Sequence, residues 1–197
     1  MPSDTRIPKA EITGLYGGLV KVMSRRALGE VPESLGVMWH NRQVLNATYS
    51  FGRKTKKWNE CDGDLKAFAH MAVSAFVGCA FCMDYGYFAA HNEGLDEAKL
   101  REVPRWRESD AFTPLERQVM EYAEAMSQTP PAVTDEMSAR LLETLGAPAL
   151  LELTAYIGMT NLTTRTNVAL GIEAEGFSAS CDLAPLAEPA GSVLSSA

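Results

Sequence analysis

Apolar positions recur along this chain with helical rather than alternating spacing, and the breaks between runs fall at glycine, proline and capping residues. The most telling run is DLKAFAHMAVSAFVG. Its Leu65, Phe68, Ala69, Ala72, Phe76 and Val77 leave almost no polar face, which predicts a central helix enclosed by others. Asp62 or Asp64 can cap its start, and Gly78 stops it. A further helix is predicted over roughly 80–92, ending at Asn92 and Gly94, where a left-handed cap residue is available.

Upstream, Pro2 and Pro8 predict an extended arm over residues 1–10. Residues 11–28 read as a weak helix, since Gly14, Gly17 and Gly18 each lower helix propensity. Pro32 suits the first turn of a helix reaching about Phe51, with Leu35, Met38, Trp39, Arg42, Leu45 and Ala47 to Tyr49 as a broad stripe. His40 lies off the stripe's centre and reads as a partly exposed helix residue.

Downstream, LDEAKLREV is a short amphipathic helix halted by Pro104. Thr113, Pro114 and Glu116 form a capping box that starts a helix over 114–127, and Pro130 and Pro131 break it. Thr134 caps a run ending at Gly146, and a long helix follows over about 148–169 with Leu150, Leu153, Ile157 and Leu162 inward. No alternating pattern of useful length appears, so the fold class is all-α. Three regions follow: an arm and weak helix at 1–29, a helical domain at 30–177, and a Ser, Ala, Pro and Gly tail at 178–197 that contains Cys181 and reads as disordered.

Composition narrows the function. With 197 residues at 46% hydrophobic, the chain can build a core without a disulfide scaffold. A net charge of -7 and no long basic run argue against a nucleic-acid surface. The RKTKK cluster at 53–57 reads as a solvated helix end. The N-terminus has no apolar signal core and no stretch reaches membrane-span length, so a cytoplasmic protein with no membrane contact is expected. The thoroughly apolar helices favour a homo-oligomer.

The candidate chemistry is the C-x-x-C of Cys79 and Cys82, placed where one predicted helix ends and the next begins. The first amides of the second helix favour a thiolate there, and the spacing lets the pair close a small disulfide ring. In a reducing compartment such a pair is held as a dithiol and oxidised transiently, which suits redox exchange. Half of a zinc site and an inert buried pair are the competing readings. The other candidate ligands, Cys61, Cys181, His40, His70 and His91, show no second pair at ligand spacing, so no metal and no cofactor is expected. Asp84 reads as a helix-capping or intersubunit residue rather than a chemical one. Tyr156, Asn161, Arg165 and Asn167 form a polar series on an otherwise apolar helix, lining either a pocket or a wet subunit contact.

AFAHMAVSAFVGCAFCMDYG, with the later NLTTRTNVALGIEAEGF, resembles the carboxymuconolactone decarboxylase and alkylhydroperoxidase D-like family over roughly residues 30–177. The resemblance implies an all-helical domain assembled as trimers or hexamers, in which the C-x-x-C reduces a small organic hydroperoxide. It further implies that Cys82 attacks the peroxide, that Cys79 resolves the sulfenic acid, and that an external thiol reductant resets the pair. Two departures stand out: the histidine usual four residues after the second cysteine is Gly86, and the glutamate usual twelve before the first is Ala67. By helical geometry His70, with Tyr85 or Asp84, is a candidate proton acceptor; the alternative is a satisfied core histidine and a packing aromatic. The family also includes cofactor-free decarboxylases of small lactones, which typically lack the C-x-x-C, and a catalytically retired oligomer or thiol sensor is a third possibility.

Overall fold

The computed structural model describes residues 5–181 and 183–188, which form helices and loops with no strand among them. In chain order the helices are α1 (Gly14–Leu28), α2 (Glu33–Met38), α3 (Arg42–Thr55), α4 (Gly63–Val77), α5 (Ala80–Asn92), α6 (Glu97–Glu102), α7 (Pro114–Ser127) and α8 (Asp135–Leu170), with 3-10 turns at Val103–Arg105 and Ala179–Cys181. The all-α class read from the periodicity is the class observed.

α4 is the hub because its sequence is apolar nearly all round: it packs on α5, α7 and α8, although Phe76, expected inside, is 47% exposed near the helix's last turn. Phe68, Ala69, Met71, Ala72 and Val73 are buried on it, and Phe68 meets Phe112 edge-on at 5.7 Å between ring centres. Each large side chain buried in this way contributes about 1.5–3 kcal/mol. Asp62, and not Asp64, caps the helix by accepting from the Asp64 amide at 2.8 Å. The capping box of α7 is complete in both directions, with Thr113 and Glu116 each bonding the other's amide. Gly146, at φ 78° and ψ 165°, interrupts α8 where the sequence places a helix end, so the two expected helices run on across a break.

Two expectations need correction. The single helix expected from Pro32 to Phe51 is two helices, because Asn41 leaves the helical region at φ −134° and its side chain caps α3 by accepting from the Gln43 and Val44 amides. That break exposes His40, whose Nε2 pairs with the Pro8 carbonyl at 2.7 Å and helps hold the extended segment before α1. Leu162 faces outward at 55% exposure. The buried line of α8 runs Leu153, Ile157, Thr160, Thr164, and a residue five after Ile157 lies well off that line. The threonine hydroxyls on it bond back to the carbonyls of Tyr156 and Thr160 and so bury no unpaired donor.

Of the terminal regions, residues 1–4, 182 and 189–197 lie outside the described residues. Within the tail expected to be disordered, residues 178–181 and 183–188 lie along α5 and α6: Tyr87 donates to the Ala184 carbonyl, Arg101 donates to that of Pro185, and the Ala187 amide donates to Arg101.

Candidate active site

Gly78 ends α4 in the left-handed region at φ 78°, which turns the chain so that Cys79 becomes the N-cap of α5. The Cys79 sulfur accepts from the Cys82 amide at 3.2 Å. Cys79 and Cys82 are joined as a disulfide, with Cα atoms 5.3 Å apart. The helix-terminal amide expected to favour a thiolate therefore acts directly on Cys79. Cys82 instead receives the Asn167 side-chain amide from α8, Nδ2 to Sγ at 3.4 Å. Both cysteines are nearly enclosed, at 1% and 4% exposure.

One turn along α5, Gly86 has no side chain, and the space is filled from α4. A Cβ built on Gly86 would stand 2.8 Å from Cδ2 of His70 and 3.1 Å from its Nε2. The imidazole thus lies against the helix that carries the cysteines. Although part of His70 reaches the surface, its Nε2 has no solvent contact and no hydrogen-bond partner. Burial pushes its pKa below the ordinary histidine value, with the Cys82 backbone working in the opposite direction, so the ring is neutral at pH 7.

Tyr85 and His70 line one small cavity of about 80 Å³. Tyr85 also belongs to an aromatic cluster with Phe81, Phe88 and Phe177, stacked on Phe81 at 6.2 Å. Asp84 is drawn away from the chemistry. Its carboxylate accepts from the amides of Glu175, Gly176, Phe177 and Ser178 and from the Ser178 hydroxyl, at 2.6–3.1 Å. Burial alone would raise its pKa, but these donors, led by Ser178, hold it below the ordinary value. Asp84 is an anchor for the chain after α8 and not a proton acceptor for Cys82.

The polar series of α8 divides in three. Tyr156 lines the cavity with His70, and Asn167 meets Cys82. Asn161 and Arg165 turn instead to Ser127, bonding its hydroxyl and its carbonyl, and tie α8 to the end of α7. A larger cavity of about 430 Å³ adjoins the small one, lined in part by Trp58, Cys61 and Lys66. Lys66 of its wall forms an ion pair that the sequence reading missed, to Glu152 on α8 at 2.6 Å, with Glu152 also accepting from the Glu60 amide. The available signal was a carboxylate beside Leu153 on the buried face of an apolar helix. Burial pushes the Cys61 thiol up to about 11, which leaves it protonated and unreactive. Among the described residues no three His, Cys, Asp or Glu side chains converge as metal ligands, and no helix is long and apolar enough to cross a membrane.

Residues 42–125, which hold α3 to most of α7 and both cysteines, match the model of the carboxymuconolactone decarboxylase family. Over 122 residues the chain is 37% identical to protein YnjA of Escherichia coli (strain K12), spanning 62% of this chain and 67% of that one. The chain belongs to the carboxymuconolactone decarboxylase family. Its fold is also that of two more distant solved structures. The debrominase Bmp8, as a cysteine-to-alanine variant bound to 2,3,4-tribromopyrrole, aligns with a TM-score of 0.75 at 19% identity, covering 90% of this chain and 98% of that one. An alkylhydroperoxidase AhpD core protein from Ralstonia eutropha JMP134 aligns with a TM-score of 0.74 at 15% identity, covering 88% and 94%. Within the family, this chain carries the C-x-x-C pair that fits a redox role.

Proposed function

We propose that this protein is a thiol peroxidase that reduces organic hydroperoxides at Cys82, with Cys79 as resolving thiol and His70 as proton carrier. The observation that carries the reading is the neutral, unpartnered His70 imidazole lodged in the space beside Gly86, on the helix that begins with the disulfide-forming pair. It occupies the neighbourhood in which the resemblance leads one to expect a histidine from α5.

In the reduced protein His70 takes the Cys82 thiol proton as general base, and the Asn167 amide steadies the resulting thiolate. The sulfur attacks the distal oxygen of the hydroperoxide, the O–O bond breaks, and the proton returns to the departing alkoxide, giving an alcohol and a Cys82 sulfenic acid. The Cys79 thiol then displaces water from that sulfur and closes the disulfide. An external dithiol reduces the pair and is itself oxidised to a disulfide. Tyr85 acts as a second hydrogen-bond donor in the cavity.

The test is intact mass and free-thiol count after cumene hydroperoxide is added to the reduced protein. Wild type is expected to lose the Cys79 and Cys82 thiols together, Cys79→Ser to stop at a sulfenic acid, and Cys82→Ser to remain unoxidised at that site. Thiols that survive peroxide in the wild type would overturn the reading in favour of a retired scaffold. Thiol-independent turnover of a lactone would favour the decarboxylase class.

A further inference from the structure

The start of α5 does not treat its two cysteines alike. Cys79 is the N-cap, and its sulfur accepts from the Cys82 amide at 3.2 Å. A sulfur in that position has the helix-terminal amides as donors, which favours its charged form. Cys82 lies three residues into the helix and supplies one of those amides instead of receiving it. On the geometry of α5 alone, Cys79 is the sulfur that ionises first.

A side chain from α8 reverses this order. Asn167 Nδ2 donates to Cys82 Sγ at 3.4 Å, and among the described residues it is the side chain hydrogen-bonded to that sulfur. Cys82 is nearly enclosed, so water competes little for the contact, and a hydrogen bond to a charged acceptor is worth more there than in water. The carboxamide is also held in place. The last four carbonyls of a helix have no partner within it, yet at the end of α8 all four are paired. That of Asn167 accepts from the Ile172 amide, those of Val168 and Ala169 from the Arg6 guanidinium, and that of Leu170 from the Arg6 amide. The turn that carries Asn167 is thereby closed against fraying.

We infer that Asn167 selects Cys82 over Cys79 as the thiolate, by giving the Cys82 sulfur a donor that the helix terminus does not. When the Cys82 thiol passes its proton to His70, the anion left behind is met by the Asn167 N–H. The two residues are 5.3 Å apart at Cα, so a thiolate on one disfavours a thiolate on the other and Cys79 stays protonated. Once the Cys82 sulfur is a sulfenic acid, its charge is gone and Cys79 regains the helix amides. Its sulfur then forms the S–S bond, and the hydroxyl leaves Cys82 with the Cys79 proton as water. The inference rests on the peroxidase reading only for what the selected thiolate attacks; the selection itself needs no peroxide.

The experiment labels the reduced full chain with limiting iodoacetamide between pH 6 and pH 10, each thiolate displacing iodide to form a C–S bond. The sites are read by fragmenting the peptide that holds both cysteines. Wild type is expected to be labelled first at Cys82. In Asn167→Ala and Asn167→Leu the midpoint of Cys82 labelling should rise by about one pH unit. The ratio of Cys82 to Cys79 labelling at pH 7 should fall by roughly three- to tenfold, because the more basic thiolate is scarcer but also more nucleophilic. Alanine widens the approach to Cys82 and leucine keeps it filled, so a fall common to both is not a change of access. Preferential labelling of Cys79 in the wild type overturns the inference, as does an unchanged ratio in the variants. The wild-type result stands without either variant, so a folding defect in one of them leaves the inference open to refutation. Selectivity that depends on Asn167 in a protein whose thiols survive cumene hydroperoxide would sink the peroxidase and leave the selection. Peroxide oxidation at Cys82 with no loss of selectivity in the variants would do the reverse.

Discussion

His70 holds a buried ring nitrogen with no hydrogen-bond partner within the usual distance among the described residues, and such a group costs about 1–3 kcal/mol when left unpaired. Its cost depends on pH in a known direction. Because burial lowers its pKa, the unfolded chain takes up a proton near the ordinary value of 6.5 that the folded chain refuses, so stability falls as pH drops below that value. Denaturant unfolding between pH 7.5 and pH 5 is expected to show this slope, at most about 1.4 kcal/mol per pH unit, and His70→Gln to remove it. Gly86 offers a second test. Gly86→Ala sets a methyl 2.8 Å from the imidazole, at an overpacking cost of about 1–3 kcal/mol that outweighs the roughly 1 kcal/mol gained in helix propensity. In a His70→Ala background that collision is gone, and the same substitution is expected to stabilise. For catalysis, His70→Ala should slow peroxide reduction by roughly 10²- to 10⁴-fold, and His70→Ala with Gly86→His should recover part of it by returning an imidazole to the same space from α5.

α5 is held from both ends of the domain. Its N-terminus is set by the turn at Gly78, and its middle is bound to the chain beyond α8 by Asp84. That chain in turn places Phe177 against Phe81, Tyr85 and Phe88, and Glu175 caps α2 by accepting from the Glu33 and Ser34 amides. The helix bearing the cysteines is therefore fixed by a segment nearly a hundred residues later. Asp84→Ala is expected to cost at least about 2 kcal/mol by leaving several buried amides without an acceptor, and to raise hydrogen exchange at Gly176, Phe177 and Ser178 before the rest of the domain. Acid should do the same. The Asp84 pKa is lowered by folding, so its contribution is full above the ordinary carboxylate value and is lost as pH falls through the folded one. Exchange protection of these amides, measured from pH 6 down to pH 3, checks the sign.

Across the molecule, exposed apolar side chains lie on α1 and α3, which pack little on the other helices, and also along the outer side of α8 at Leu142, Leu151, Leu162 and Val168. α1 makes few contacts with the other helices, yet Leu15 is 98% exposed and Leu19, Val22 and Met23 continue its apolar line. Val44, Tyr49 and Phe51 do the same on α3. The homo-oligomer expected from the sequence is expected to use this surface. Sedimentation equilibrium of wild type against Leu15→Glu with Leu19→Glu checks this: the wild type should sediment as a multiple of 21.4 kDa and the double variant as a lighter species. A monomeric wild type would refute it.

Helix positions that depend on neighbouring residues were readable in the chain. The apolar barrel of α4, the capping box at Thr113, and the breaks at Gly78 and Gly146 are local, set by side-chain spacing and by the conformations glycine alone adopts readily, and they lie where expected. So does the C-x-x-C at the start of α5. A short local signal was overlooked at Asn41, whose cap divides one expected helix in two. What the spacing could not supply was which side chains from separate helices meet. His70 and Gly86 lie on different helices, and only the close packing of α4 on α5 makes the absence of one side chain the berth of the other. Asn167 reaches Cys82, Ser178 reaches Asp84, and Glu152 reaches Lys66, across 85, 94 and 86 residues of chain. Periodicity says which face of a helix turns inward; what that face encounters is decided by the packing of the whole bundle.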